Sequence, residues 1–219
     1  MKEDWLEELI AAADTDKRNE KQIKILQAAV DMFSEKGYAS TSTNEIAKKA
    51  GVAEGTIFRY YKTKKELLMA IVLPALTKFA APFFIQSFAK QVFEDSYDSY
   101  EQFLRTVIRN RFEFARKNMP ILKILIQEVP FHPELKQEVQ NVFEKELYSR
   151  FVGIIQQFQK QGDVIEIPAA TIIRLSVSSL AGFLLTRFLL LPEASWDDEA
   201  EIEYTIQFIL HGLTPRGDI

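Results

Sequence analysis

Residues 25–68 read ILQAAVDMFSEKGYASTSTNEIAKKAGVAEGTIFRYYKTKKELL, and this stretch decides the fold of the chain. In its first part, apolar residues recur at three- and four-residue spacings, which is typical of a helix that buries one face. We therefore predict a helix over 20–36. Gly37 ends this helix because glycine adopts the left-handed conformation of helix termini without a steric penalty.

Two short helices are predicted next, over 44–50 and 54–61. Ser42 and Glu45 have the spacing of a capping box at the start of the first one, and Thr43 fits the cap position equally well. Gly51 separates the two helices. Two short helices joined by a tight glycine turn form a helix-turn-helix.

The rest of the chain is also predicted to be helical. It has few helix breakers, with 8 Gly and 8 Pro in 219 residues, and it lacks the sustained alternation that marks strands. Thr63 and Glu66 form a second capping box, and Pro74 kinks or ends the helix that starts there. Further helices are predicted over 99–118, 120–127, 133–161, 168–191 and 197–212. The fold class is therefore all-α.

Charge is distributed unevenly along the chain. Between residues 17 and 65 there are eleven basic residues and five acidic ones, although the whole chain has a net charge of -4. A basic module is therefore attached to an acidic body, which indicates that one end meets a polyanion. The absence of cysteine excludes disulfides, thiolate metal sites and cysteine nucleophiles.

We expect a cytoplasmic, nucleoid-associated protein. Residues 1–10, MKEDWLEELI, are acidic and lack the basic start and apolar stretch of a secretory signal. The longest apolar run, 175–191, reaches membrane-spanning length only by including several hydroxyl residues and Arg187. This pattern favours a buried interface helix, so no membrane partner is expected.

Several separated features of residues 25–68 occur in the same order in the DNA-binding domains of the TetR family of regulators. They are Phe33 with Gly37-Tyr38, Thr43 with Ile46-Ala47, Ala50-Gly51-Val52, Gly55-Thr56, Tyr60-Tyr61, and Thr63-Lys64 before Glu66-Leu67. The segment closely resembles that domain over 44 residues, a fifth of the chain.

The resemblance implies a three-helix helix-turn-helix DNA-binding domain at 19–66 and a helical ligand-binding and dimerisation domain at 67–219. Before them, an amphipathic extension is predicted at 1–18, because apolar residues recur there at helical spacing, namely Trp5, Leu6, Leu9, Ile10 and Ala13. The resemblance implies a homodimeric repressor that binds a palindromic, double-stranded DNA operator and is released by a small apolar or amphipathic effector. No cofactor is implied. The acidic extension either packs on the protein's own body or competes with DNA for the basic module.

The resemblance also assigns roles to individual residues. The second short helix would enter the major groove, where an α-helix fits. The residues that would face the bases are Glu54, Gly55, Thr56, Phe58 and Arg59, and those that would hold phosphates are Thr43, Tyr60 and Lys64. Arg59 is the strongest specificity candidate because its guanidinium can form two hydrogen bonds with a guanine edge.

Three residues at the start of the second short helix or within it have an open role or differ from relatives. Glu54 either accepts a hydrogen bond from a cytosine amine or only helps the helix to start. Phe58, where many relatives have tyrosine, either contacts a thymine methyl or belongs to the core. Ala53 stands where relatives usually place a serine cap, which should cost about 1 kcal/mol unless another group substitutes.

The candidate ligand-binding residues share one face of the predicted helix over 99–118. They are Phe103, Val107, Asn110 and Phe114. The many phenylalanines of this part either fill a core or line an apolar cavity. Asn110 on an apolar stripe must find a partner, which is either a ligand or another side chain.

By resemblance, the last two long helices would pack against their counterparts in a second subunit. The candidate interface residues are Ser178, Gly182, Leu185, Arg187 and Leu189. Small residues allow close helix approach, and leucines supply apolar area. Arg187 pairs with a carboxylate across that interface or holds an acidic ligand, since a charge beside a large apolar surface needs a partner.

Two other classes of function compete with a regulator. For an enzyme, the chain offers only two histidines, His132 and His211, without the Glu-x-x-His or His-Glu-x-x-His spacings of metal-binding helices. We therefore expect no catalytic residue and no metal. The second competitor is a ligand carrier or scaffold, which an absence of specific DNA binding would select.

Overall fold

The computed structural model describes residues 20–74, 92 and 97–213, and the regular structure of these residues is entirely helical. The helices are α1 Glu20–Lys36, α2 Thr43–Ala50, α3 Glu54–Tyr60, α4 Lys64–Pro74, α5 Tyr100–Lys117, α6 Met119–Glu128, α7 Pro133–Val142, α8 Ser149–Gln161, α9 Ala169–Leu185 and α10 Asp198–Leu213. A 3₁₀ turn, Val129–Phe131, lies between α6 and α7, and π-helical segments, Phe143–Tyr148 and Thr186–Leu190, precede α8 and follow α9. The all-α prediction is confirmed.

The described residues divide into two compact units. The head unit contains 20–74 and 118–142, and the body unit contains 92, 97–117 and 143–213. The predicted domains at 19–66 and 67–219 differ from this division, because α6 and α7 belong to the head unit. Their apolar side chains complete the core around α1 to α4, which a contiguous reading of the sequence does not anticipate. The predicted extension at 1–18 lies outside the described residues.

The head unit has one core, to which the predicted apolar faces contribute. Helix α1 buries its whole predicted stripe, namely Ile25, Leu26, Ala29, Val30 and Phe33. Ile46 of α2, Ile57 of α3 and Leu67 of α4 pack into the same core, together with Ile124 of α6 and Leu135 of α7. Burying a side chain of this size stabilises a fold by about 1.5–3 kcal/mol. Packing therefore holds five short helices around α1.

Local caps fix where α2 begins and ends. The Ser42 hydroxyl accepts a hydrogen bond from the Glu45 amide (3.2 Å), and the Glu45 carboxylate accepts one from the Ser42 amide (2.9 Å). Ser42, not Thr43, is therefore the cap. The Glu45 carboxylate also bonds the Lys36 ammonium. Together with the bonds from Ser42, this contact lowers the pKa of Glu45 to about 2. Gly51 ends the helix in the left-handed conformation, at φ 67°.

Helix α4 begins at a second cap. The Thr63 hydroxyl accepts from the Glu66 amide (3.0 Å), as predicted, while the Glu66 carboxylate accepts from the Lys62 amide (2.8 Å) instead of the Thr63 amide. Pro74 is the last described residue of this helix. The predicted kink falls on residues outside the described part of the chain and stays a prediction.

The body unit packs α5, α8, α9 and α10 around a second core. Its buried residues include Phe103 and Phe112 of α5, Phe158 of α8, Ile173 of α9 and Ile206 of α10. On the surface, Arg105 of α5 pairs with Glu203 of α10, and Arg109 pairs with Glu199 (2.7 Å). These exposed pairs contribute little stability compared with the core.

Candidate functional site

Helix α3 presents two different faces. Ile57 and Tyr61 point inward and are 1% and 7% exposed. The residues predicted to face the bases lie on the other side, where Gly55, Phe58 and Arg59 are exposed and Glu54 and Thr56 are partly exposed. Phe58 is 46% exposed, which excludes the alternative that it belongs to the core.

Glu54 links the starts of α2 and α3. Ala53, at the cap position, makes no side-chain hydrogen bond, as its methyl group requires. The Glu54 carboxylate instead accepts hydrogen bonds from the Thr43 hydroxyl (2.6 Å) and from the side-chain amide of Asn44 (3.4 Å). Periodicity and capping patterns do not predict this contact, because it joins residues ten and eleven positions apart across the Gly51 turn. Thr43 thus gives its only hydroxyl hydrogen to Glu54.

Arg59 lies at the exposed end of the same face. Its guanidinium donates a hydrogen bond to the Tyr60 hydroxyl (3.0 Å) and lies 5.0 Å from the centre of the Tyr60 ring. Within the described residues, no carboxylate pairs with Arg59. A guanidinium has five N–H donors, so most of them stay available to an outside acceptor.

Lys64 is held by the loop that precedes α2. Its ammonium donates to the backbone carbonyls of Tyr38 and Thr41, both at 2.8 Å, and lies 4.3 Å from the centre of the Tyr38 ring. Two of its three donors are therefore used inside the protein, and one remains. The sequence alone did not reveal this arrangement, because Tyr38 is 26 positions away.

A surface groove of about 430 Å³ connects these residues. It is lined by Ala39, Ser40, Thr41, Ser42, Thr43, Phe58 and Lys64. The start of α2 opens into it, and backbone N–H groups at a helix start favour an anion. Lys48 and Lys62, both exposed, make no ion pair with any described residue. The groove and its surroundings therefore suit a polyanion.

The predicted ligand residues separate into two pairs in the body unit. Phe103 and Val107 line a cavity of about 60 Å³ together with Tyr100, Phe151 and Ser176, among others. Asn110 and Phe114 do not line it. The Asn110 side-chain oxygen accepts hydrogen bonds from the guanidinium of Arg111, which lies 5.1 Å from the centre of the Phe114 ring.

Arg111 is a partly buried cation that the sequence pattern did not indicate as a site residue. Burial lowers the pKa of Arg111 to about 9. The sequence left open whether Asn110 bonds a ligand or another side chain. In this structure its partner is a side chain, that of Arg111. A neighbouring arginine in the sequence was the signal that could have suggested this partner.

The predicted interface residues lie on α9 and the π-helical segment after it. Ser178 and Gly182 are exposed, whereas Leu185, Arg187 and Leu189 are half-buried. The Arg187 guanidinium bonds the Asp198 carboxylate of its own chain at 2.6 and 3.3 Å. The predicted partner across an interface, or an acidic ligand, is therefore not needed to satisfy this charge.

Comparison with known proteins connects the head unit to a family. Residues 25–71 match the family model of bacterial regulatory proteins, tetR family. Residues 25–71 therefore form a DNA-binding domain of the TetR type. Over 59 residues the chain is 39% identical to the fatty acid metabolism regulator protein of Bacillus subtilis, covering 27% of this chain and 30% of that protein.

A transcriptional repressor of Mycobacterium tuberculosis is 44% identical over 55 residues, covering 25% of this chain and 29% of the repressor. The chain thus matches under a third of the length of these curated relatives, whose names describe regulators of transcription and metabolism. The crystal structure of FadR from Bacillus subtilis in complex with stearoyl-CoA matches 87% of this chain and 98% of that one, with a TM-score of 0.64 and 20% identity. This likeness shows that the TetR fold extends through the body unit.

Gly55 of the TetR-type domain has no structural reason to be glycine. Its φ is not in the left-handed region, and a Cβ added there would meet nothing within 4 Å. Glycine in a helix costs about 1 kcal/mol relative to alanine. A small residue at this position leaves room for the close approach of DNA that the family resemblance implies.

We predict that Gly55→Ala stabilises the free protein by up to about 1 kcal/mol and weakens its binding to DNA, because the new methyl group occupies the contact surface. Urea unfolding and DNA titration measure the two effects. Gly153→Ala is the matched control, since its Cβ also meets nothing within 4 Å but lies in α8 of the body unit. Unchanged DNA affinity in Gly55→Ala would contradict the proposed close approach.

Proposed function

We propose that this protein is a cytoplasmic, homodimeric repressor of transcription that a small, largely apolar ligand releases from a palindromic operator. The observation that carries the proposal is the exposed face of α3, where Gly55, Phe58 and Arg59 lie on a TetR-type helix-turn-helix. An α-helix with such a face fits the major groove of B-DNA. The name of the M. tuberculosis relative supports repression.

Arg59 is the proposed specificity residue. A bidentate contact with guanine discriminates against a wrong base by about 1–3 kcal/mol. Lys64 and Tyr60 are the proposed phosphate contacts, which fix the position of α3 without reading sequence. Thr43 can donate to a phosphate only after its hydroxyl leaves Glu54. Glu54 is thus proposed to set the free-state geometry of α2 and α3 rather than to accept from cytosine.

We predict that the wild-type protein enriches one palindromic site from genomic DNA, and that Arg59→Ala loses this preference because the guanine contact is gone. Sequencing of the bound fragments at two salt concentrations measures the preference. Lys48→Ala serves as the control: it should weaken binding to all sequences equally and reduce the salt dependence. Diffuse, salt-sensitive binding by the wild type would instead select a ligand carrier or scaffold.

The second copy is proposed to cover α9 and α10. Residues 169–190 form a helix long and apolar enough for a membrane span, with a mean hydropathy of 1.5, yet only 11% of it is buried in this chain. Val177, Tyr204 and Phe208 are 53%, 66% and 72% exposed. The exposed Ser178 and Gly182 allow close approach of a second helix. The opposite face of α9 packs into the body core, which favours a protein partner over lipid.

We predict that Phe208→Glu converts a dimer of about 50 kDa into the 25.2 kDa monomer, because a carboxylate replaces apolar area in the proposed interface. Light scattering coupled to size-exclusion chromatography measures the mass. Phe131→Glu is the matched control, since Phe131 is 80% exposed but lies in the head unit. A monomeric wild type, or a dimeric Phe208→Glu variant, would contradict this arrangement.

The cavity beside Phe103 and Val107 is the proposed entry point of the effector. It is mostly apolar, and its lining includes Tyr100 and Ser176, whose hydroxyl groups interact with each other. A ligand with an apolar body and one polar atom would match this lining. At about 60 Å³ the cavity is far smaller than drug-sized sites of about 300–1,000 Å³. It therefore suits one end of an apolar molecule and must widen for a larger one.

We predict that Val107→Phe keeps operator affinity but abolishes release by the effector, because the larger side chain fills the cavity. Operator release is titrated with hexanol, decanol and stearoyl-CoA, the last being the ligand of the FadR structure. Val139→Phe adds the same bulk on the exposed surface of α7 and should respond like the wild type. A Val107→Phe variant that is released normally would exclude this cavity.

A further inference from the structure

The Tyr38 ring is half-buried and contacts side chains from three parts of the head unit. The edge of Phe33 in α1 packs against it at 5.3 Å between ring centres, and the His132 ring packs edge-on at 6.0 Å. The Lys64 ammonium lies 4.3 Å from the ring centre. Since a cation is attracted to an aromatic face, the position of this ring influences where Lys64 lies.

His132 is itself held firmly. Its Nε2 lies 3.3 Å from the Glu128 carboxylate, and both side chains are almost buried, at 13% and 12% exposed. Its backbone carbonyl accepts hydrogen bonds from the Leu135 and Lys136 amides at the start of α7. Glu128 and His132 therefore form a fixed support for Tyr38 at the junction of α6 and α7.

The Tyr38 ring is also connected to the loop before α2, because Lys64 contacts both the ring and the loop. Lys64 bonds the carbonyls of Tyr38 and Thr41, and the Thr41 hydroxyl donates to the Gly37 carbonyl (2.8 Å). This loop leads directly into Ser42, the cap of α2. Loss of the ring contact would release Lys64 from one of its three attachments and loosen the loop that precedes the cap.

We propose that Glu128 and His132 are positioning residues for DNA binding, which act by holding the Tyr38 ring and, through it, Lys64 and the loop before α2. The inference rests on the proposed phosphate contact of Lys64. Neither residue needs to contact DNA. The two residues lie more than sixty positions beyond the helix-turn-helix in sequence, so the DNA-binding surface depends on a part of the chain outside the family match.

The first test is a double-mutant cycle on operator affinity at about 0.1 M salt, in dimers whose folding is checked by circular dichroism. We expect His132→Ala to weaken binding about fivefold and Lys64→Ala about tenfold, with a smaller salt dependence in both. The double variant should bind like Lys64→Ala alone, because His132 acts through Lys64. Glu134→Gln is the matched control, since it removes the Lys65–Glu134 pair (2.6 Å) between α4 and α7 without touching Tyr38.

The outcomes separate the two claims. Wild-type affinity in His132→Ala, or losses that multiply in the double variant, would overturn the positioning role alone. Wild-type affinity in Lys64→Ala would overturn the phosphate contact and the positioning role together. Equal losses in His132→Ala and Glu134→Gln would indicate general loosening of α7 and also overturn the proposal.

A second measurement needs no operator. The rate at which acetic anhydride acetylates Lys64, followed by mass spectrometry, reports whether the ammonium is held. We expect His132→Ala to raise this rate several-fold relative to the exposed Lys48, while Glu134→Gln leaves it unchanged. Tyr38→Phe keeps the ring and should also leave it unchanged. An unaltered Lys64 rate in His132→Ala would overturn the proposal.

Discussion

The head unit depends on one constraint: α3 has seven residues and cannot keep its shape alone. Isolated helices shorter than about 12 residues are marginal in water, and this one also lacks a side-chain cap at Ala53. Burial of Ile57 and the bonds from Glu54 to α2 hold it instead. The exposed face of α3 is free to carry Gly55, Phe58 and Arg59 because the opposite face and the Glu54 contact supply the stability.

Local features of the fold could be predicted from the sequence, and contacts between distant residues could not. The span of α1 and the start and end of α2 follow from periodicity, the Ser42 capping box and Gly51, which depend on neighbouring residues only. The Lys64 contact with Tyr38 and the place of α6 and α7 in the head unit depend on how separate helices pack. Exposure of α3 was predicted correctly because Ile57 and Tyr61 define its inward face.

Polar residues on apolar stripes illustrate the same limit. Asn110 and Arg187 each required a partner on physical grounds, and the sequence left a ligand open in both cases. The structure supplies Arg111 and Asp198 from the same chain. A requirement for a partner therefore identifies a polar contact but does not identify a binding site.

The two units consequently differ in how their polar groups are used. In the head unit, Glu54 and Lys64 each make two hydrogen bonds to protein groups, and the Thr41 hydroxyl donates its one hydrogen to a backbone carbonyl, as rigid presentation of α3 requires. In the body unit, the cavity is mostly apolar, and the Tyr100 and Ser176 side chains in its lining interact with each other. Helix α5 lines that cavity, and only Asn118 separates it in sequence from α6, whose end carries Glu128. Under the proposed function, a movement of α5 on ligand binding would be passed to α6 through the chain itself, because a single residue joins the two helices.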